Sequence, residues 1–180
     1  EIFRLTGDPR AWYENIQLTG PFISVELDSN EVKQLISYLD PVAVQEDTLT
    51  GRLNQILGDT LTVNFTDGEI STILLRPDSK ILYHTRNDQG DPDGAVEYVS
   101  PRTVMYFEGG ELQRVKAGQN QGIFLPEYQG LADRRLERFE WDPDLRPEKP
   151  QMNVVPRFPP VTQQPPFPLP ERYQAYLKKL

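Results

Sequence analysis

Cysteine is absent from the 180 residues, and histidine occurs once, as His84. The first absence excludes disulfides, thiol nucleophiles and thiolate-held zinc, and is compatible with an oxidising compartment. The second excludes a multi-histidine metal site, or a triad with an orienting histidine, within one chain. No run of eighteen apolar residues exists to make a membrane-spanning helix. No basic start followed by an apolar run exists either, and because residue 1 is Glu the chain reads as a mature form or as part of a longer one. Basic charge is short too: 19 Lys and Arg against 27 Asp and Glu leave a net charge of -8. That balance argues against nucleic acid, since phosphate backbones are held by Lys/Arg clusters that release counterions.

What is present is enough apolar residue, 37%, for one sizeable core, together with 17 prolines and 12 glycines. Ten of the prolines fall between Pro143 and Pro170, so that stretch is not core. The strongest signal is repetition. At an offset of 42, Val63, Phe65, Gly68, Glu69, Ile70, Ile73 and Ile81 fall on Met105, Phe107, Gly110, Glu111, Leu112, Val115 and Ile123. At an offset of 38, Gln17, Leu18, Gly20, Ile23, Val25, Leu27, Glu31 and Val32 fall on Gln55, Ile56, Gly58, Leu61, Val63, Phe65, Glu69 and Ile70. Three copies result, and RLERFEW at 135–141 reads as a fourth half-copy. A period near forty residues means stacked supersecondary units, each unable to bury its apolar face alone.

The unit is a β one. Apolar residues alternate in ISVEL, LTVNF and TVMYF, placing Ile23, Val25 and Leu27, then Leu61, Val63 and Phe65, then Met105 and Phe107, each on one face of a half-buried strand. Each strand runs into a turn, LDSNE, FTDGE or FEGGE, whose Ser-Asn, Asp-Gly and Gly-Gly centres tolerate positive φ and suit two-residue hairpins. The second strands carry Val32, Ile70 and Ile73, or Leu112 and Val115, and PVAVQ, KILYH and GIFLPE supply a third. The expectation is an all-β stack of roughly ten strands with no long amphipathic helix.

The recurring frame carried by QLTGPFISVEL, NQILGDTLTVNF and VSPRTVMYFEGGELQRV resembles the OstA-like (LptA-like) family of lipopolysaccharide-transport β-jellyroll domains, over about residues 7 to 141. The third copy departs from it, with Ser100 where the glycine stood and Thr103 for an apolar residue. The resemblance implies an OstA-like β-jellyroll of about three and a half repeats, open-ended, resident in the periplasm, with outer-membrane association left open. It also implies an apolar interior that receives acyl chains of lipopolysaccharide or a similar lipid. The residues assigned to that interior are Ile23, Val25, Leu27, Val32, Leu61, Val63, Phe65, Ile70, Ile73, Met105, Phe107, Leu112 and Val115.

Candidate chemistry elsewhere is thin. His84 follows an apolar run and reads as a strand-end residue. DQGDPDG at 88–94 has a calcium-loop flavour, but its first and twelfth positions are wrong, and an exposed turn is the better reading. Glu31, Glu69 and Glu111 follow the turns and read as solvated strand charges. Trp12 and Trp141 read as caps at the two ends of the stack. No metal, cofactor or catalytic group is expected, and the chain is expected not to be an enzyme. The domain layout is 1–142 for the β repeats, 143–170 for an extended proline-rich tail, and 171–180 for a short helix with Tyr173, Tyr176 and Leu177 at helical spacing.

Two functions remain: a lipid-handling bridge that docks to other OstA-like transport proteins edge to edge through its N-terminal strands, or a structural β-repeat scaffold for protein–protein interaction, through its edges or its proline-rich tail, with no lipid ligand. RLERFEW is expected to be a strand despite its helix-forming residues, and the prolines from 143 onward are expected to stop the C-terminal edge of the stack.

Overall fold

The structure, a computed structural model, describes residues 1–148. Residues Glu1–Pro143 form one compact unit; of a second, beginning at Asp144, residues 144–148 are described. The expected extended proline-rich tail beyond 148 and the short helix expected at 171–180 lie outside the described residues.

The strands are β1 Ile2–Thr6, β2 Arg10–Tyr13, β3 Ile16–Thr19, β4 Phe22–Asp28, β5 Glu31–Tyr38, β6 Val42–Glu46 and β7 Leu53–Leu57, followed by β8 Thr60–Thr66, β9 Glu69–Arg76, β10 Ser79–Arg86, β11 Pro92–Ser100, β12 Arg102–Glu108, β13 Glu111–Gly118 and β14 Gln121–Pro126. The count of fourteen exceeds the expected ten because QLTG, NQIL and the GAVEYVS stretch make strands of their own at the start of each copy, and two more precede them. They form two unclosed antiparallel sheets of seven, β1-β4-β5-β8-β9-β12-β13 and β14-β11-β10-β7-β6-β3-β2. The expected stacked β-jellyroll is therefore the architecture observed, with the chain crossing between sheets after every second strand.

The repeat offsets are strand offsets. Adding 38 to β4 and β5 gives β8 and β9, and adding 42 to these gives β12 and β13, residue for residue. All three hairpins close through the expected two-residue turns, with positive φ at Ser29 and Asn30, Asp67 and Gly68, and Gly109 and Gly110. Mirror-image turns of this kind match the right-handed twist of the flanking strands. Each hairpin also carries a bulge in the same place, before Leu27, Phe65 and Phe107. At the corner after β3, a side chain on Gly20 would come within 2.4 Å of the buried Ser37 hydroxyl, which donates to the Phe22 carbonyl. The third copy solves its corner with hydroxyls: Ser79 Oγ lies 2.8 Å from Thr103 Oγ1 and donates to the Ser100 carbonyl, while Ser100 Oγ reaches the Gly118 carbonyl.

Four expectations are corrected. RLERFEW is neither strand nor helix: after the 3-10 turn Leu131–Asp133 the chain runs as an irregular strap across the outer face of the second sheet. Its Leu136, Phe139 and Trp141 cover Val42, Val44 and Leu57 instead of extending the ladder. Two repeat-equivalent glutamines seat it. Gln55 donates to the Arg134 carbonyl and accepts the Leu136 N–H, and Gln17 does the same with the Glu140 carbonyl and the Asp142 N–H. At the third equivalent position Glu97 pairs with Arg134. The strap ends beside Arg10, which is ion-paired to Glu140 and Asp142. Pro143 therefore follows at the N-terminal end of the stack, and among the described residues no strand pairs with the outer edges of the C-terminal strands β13 and β14. Trp12 and Trp141 do not cap opposite ends: their rings meet at 5.7 Å. Finally, β14 slips by one residue. Tyr98 is opposite both Ile81 and Gly122, so Ile123 faces outward, 56% exposed, instead of matching Ile81.

Candidate functional site

The inner faces of the two sheets meet in one apolar core, with Ile23, Leu61, Leu75 and Met105 from the first and Leu18, Ala43, Ile56 and Ile81 from the second. The sheets do not close on each other everywhere. Between them lies a cavity of about 420 Å³, walled by Val25, Leu35, Leu61, Val63, Phe65 and Ile73 on one side and by Ala11, Tyr13, Ile16, Leu18 and Ala43 on the other. Glu31, Asp67 and Gly68, from the first two hairpin turns, border it. The Tyr13 hydroxyl donates across the gap to the Gly68 carbonyl at 3.3 Å, and the Tyr13 ring meets Phe65 edge-on at 5.5 Å. Burial, and then the carboxylates of Glu14 and Glu69, push the Tyr13 phenol above its ordinary value, so it stays a neutral donor.

Of the thirteen residues assigned to the interior, Val25, Val32, Leu61, Val63, Phe65, Ile70 and Ile73 line this cavity. Ile23 and Met105 are sealed in the core, and Phe107 and Leu112 pack against it outside the cavity wall. Leu27 is half-buried and stays out of the core cluster. Val115 sits opposite Met105 on the edge strand β13 and is 40% exposed. The second sheet's half of the wall was missed. Its signal was present in the Leu18 and Ile56 correspondence, but VAVQ is apolar on both faces and hides the alternation.

The other candidates lie elsewhere. Glu31, Glu69 and Glu111 stand exposed at the first position after each turn. His84 is inside β10, not at its end, and faces outward into the layer under the strap; it is 3% exposed. Burial, followed by the charge of Arg52, holds its imidazole below the ordinary value. Among the described residues no group of three or more His, Cys, Asp or Glu could hold a metal ion. In the 88–94 loop, Asn87 Oδ1 accepts the N–H groups of Gln89 and Asp91, as in an Asx turn.

No protein-family model and no curated protein matches the chain. Among solved structures it is similar to LptH from Pseudomonas aeruginosa, the LptA-homologous periplasmic component of the lipopolysaccharide transport device. The two are 17% identical with a TM-score of 0.49, over 65% of this chain and 71% of that one.

Proposed function

We propose that this chain is a non-catalytic lipid-handling domain that takes an acyl chain into the slot between its sheets. The observation that carries the reading is the slot itself: about 420 Å³ of space with an almost wholly apolar wall, inside an unclosed sandwich. Small-molecule sites span about 300–1,000 Å³, so the size suits one chain. Water gains little in such a space, because an ordered water needs two to four polar partners and the wall offers almost none. A methylene chain gains about 0.8 kcal/mol for each group buried.

The resemblance to the OstA-like family supplies the rest of the proposal: residence in the periplasm, acylated lipid of the lipopolysaccharide type as cargo, and docking edge to edge with other domains of the same kind. Among the described residues no strand pairs with the outer edge of β1, β2, β13 or β14. Unpaired edges recruit strands unless covered. The N-terminal edge presents Ile2, Phe3 and Leu5, each more than 40% exposed. Phe3 is paired with Val25 and Leu5 with Ile23, which puts both on the inner face and extends the apolar surface to the end of the stack.

Uptake of a fluorescent acyl probe tests the slot, with Ala43→Ile as the control. Ala43 occupies the repeat position of Ile81, so an isoleucine there copies a side chain the fold already accommodates. The expected result is saturable uptake by the wild type and loss of at least about tenfold in affinity for the variant, the equivalent of about 1.4 kcal/mol, with the fold intact. Equal uptake by both, or none by the wild type, refutes the slot. Crosslinking from positions 2–6 against positions 111–126 tests docking: capture of a partner domain only at the second set refutes the N-terminal edge.

A further inference from the structure

Toward the loop end of the second sheet its inner face changes character. One pleat further along three neighbouring strands, Ala43 gives way to Gln45, Ile56 to Asn54 and Ile81 to Tyr83. These three line a second cavity, of about 520 Å³, which the loops of the second sheet and the third hairpin turn of the first complete with Asn15, Asp47, Arg86 and Glu111. It adjoins the apolar slot: Ile16 lines the slot, follows Asn15 in sequence and is paired with Gln45 across β3 and β6.

The polar groups there are arranged and partly uncommitted. Asn54, 7% exposed, accepts the His84 N–H on Oδ1 at 2.8 Å and donates from Nδ2 to Gln45 Oε1 at 3.4 Å. With its Oε1 turned to Asn54, the Gln45 amide keeps its N–H groups free, and no protein acceptor takes them among the described residues. Charge narrows the ligand. Asp47 and Glu111 line the polar cavity, and the one base among its described lining residues, Arg86, is already paired with Asp47 at 3.5 Å. At the slot, Glu31 and Asp67 line the border and, among the described residues, no Lys or Arg does. Carboxylates are acceptors only, and side-chain amides both donate and accept. Such a set welcomes hydroxyl groups and repels a phosphate.

We infer that the polar cavity is the head-group subsite of the slot and takes a neutral, hydroxyl-rich, saccharide-type head whose alkyl or acyl chain lies between the sheets. The inference rests on the slot being an acyl site, and the experiment separates the two. Dodecyl maltoside and dodecyl phosphate, both below their micellar concentrations, are titrated by calorimetry and by the fluorescence of the Trp12 and Trp141 pair, of which Trp12 lines the slot. N-phenylnaphthylamine serves as an apolar probe without a head.

The expected result is that the maltoside binds at least about tenfold more tightly than the phosphate. Gln45→Leu then weakens the maltoside about three- to tenfold, the size of one net hydrogen bond, and leaves the headless probe unchanged. Tyr83→Phe, which removes one hydroxyl and keeps the ring, is the second variant in case Gln45→Leu does not fold. If the headless probe binds while maltoside and phosphate bind equally, or while neither variant changes the maltoside, the subsite is overturned and the slot stands. If none of the three probes binds, the slot falls and the subsite with it.

Discussion

Replacing Gln55 by alanine asks whether the strap is held by its paired amide bonds or only rests on apolar surface. The Gln55 side chain, 1% exposed, donates from Nε2 to the Arg134 carbonyl at 3.0 Å and accepts the Leu136 N–H on Oε1 at 2.7 Å. Truncation orphans both backbone groups. A buried donor or acceptor left without a partner costs about 1–3 kcal/mol, and the strap edge admits some water, so the lower half of that range applies to each and the sum is about 2–4 kcal/mol. The strap can respond by lifting, which exposes Leu136, Phe139 and Trp141 but leaves both ladders paired. Its docking free energy then caps the loss, and the effect becomes local. The assays are hydrogen exchange at the Leu136 amide, urea unfolding, and tryptophan fluorescence from the Trp12 and Trp141 pair. The expected outcome is much faster exchange at Leu136, a changed tryptophan signal, and a fall in unfolding free energy no larger than the sum above. If the strap moves as one body, adding Gln17→Ala costs little more; if its two seats act independently, the costs add. An unchanged Leu136 amide with stability within about 0.5 kcal/mol of wild type would refute the seating by glutamines.

Two further outcomes follow from the geometry. Because burial and Arg52 depress the His84 imidazole below its ordinary 6.5, the unfolded chain takes up a proton that the folded chain refuses. The stability is present above pH 6.5 and falls as the pH drops from there toward the depressed folded value. His84→Leu should flatten that part of a stability-versus-pH curve, and an unchanged slope sinks the assignment. Gly20→Ala should lower the melting temperature by forcing a side chain to within 2.4 Å of the Ser37 hydroxyl, at a cost of about 1–3 kcal/mol; an unshifted midpoint in thermal unfolding would show that the corner relaxes freely.

How far the sequence could be read depended on which face of each strand meets water. The first sheet has one face on the core and the other in solvent, so ISVEL and LTVNF alternate, and their hairpins could be placed to the residue by turn chemistry alone. The middle of the second sheet is covered on both faces. Val42 and Val44 lie under the strap and Ala43 on the core side, so the run has no period to read. The strap was misread for a related reason. Leu136, Phe139 and Trp141 have the spacing of a repeat strand, but what they match is the apolar outer surface of other strands, and their backbone bonds go to glutamine side chains. The alignment of Gln17 with Gln55 was visible in the sequence and its meaning was not, because a buried amide that binds a distant backbone leaves no local pattern. The slip at β14 was hidden for the same reason: an offset of 42 counts residues, and only the pairing with β11 fixes which way Ile123 points.

The slot exists where the repeats differ in size, not where they agree. On the inner face of the second sheet, Leu18, Ala43, Ile56 and Ile81 stand in one row. Ala43 and Ile81 are the same position of successive repeats. In the second repeat an isoleucine, 2% exposed, fills the space between the sheets; in the first an alanine leaves it open, and Ala11, opposite Leu18, widens it by a second small side chain. The facing sheet does not compensate, since Val25 and Val63 are identical in the two repeats. A stack of identical copies would be filled or hollow throughout, whereas this one is hollow toward its N-terminal strands. Beyond the second repeat Tyr98, Met105 and Phe107 pack in or against the core, and none of them lines the slot. The end at which the slot can run on is therefore the one where Phe3 and Leu5 face inward on an unpaired strand. That supports the N-terminal edge as the docking side on grounds independent of the proline argument, which the strap's course removes. Joining another domain there would extend the apolar passage, whereas β13 and β14 contribute no residue to the slot.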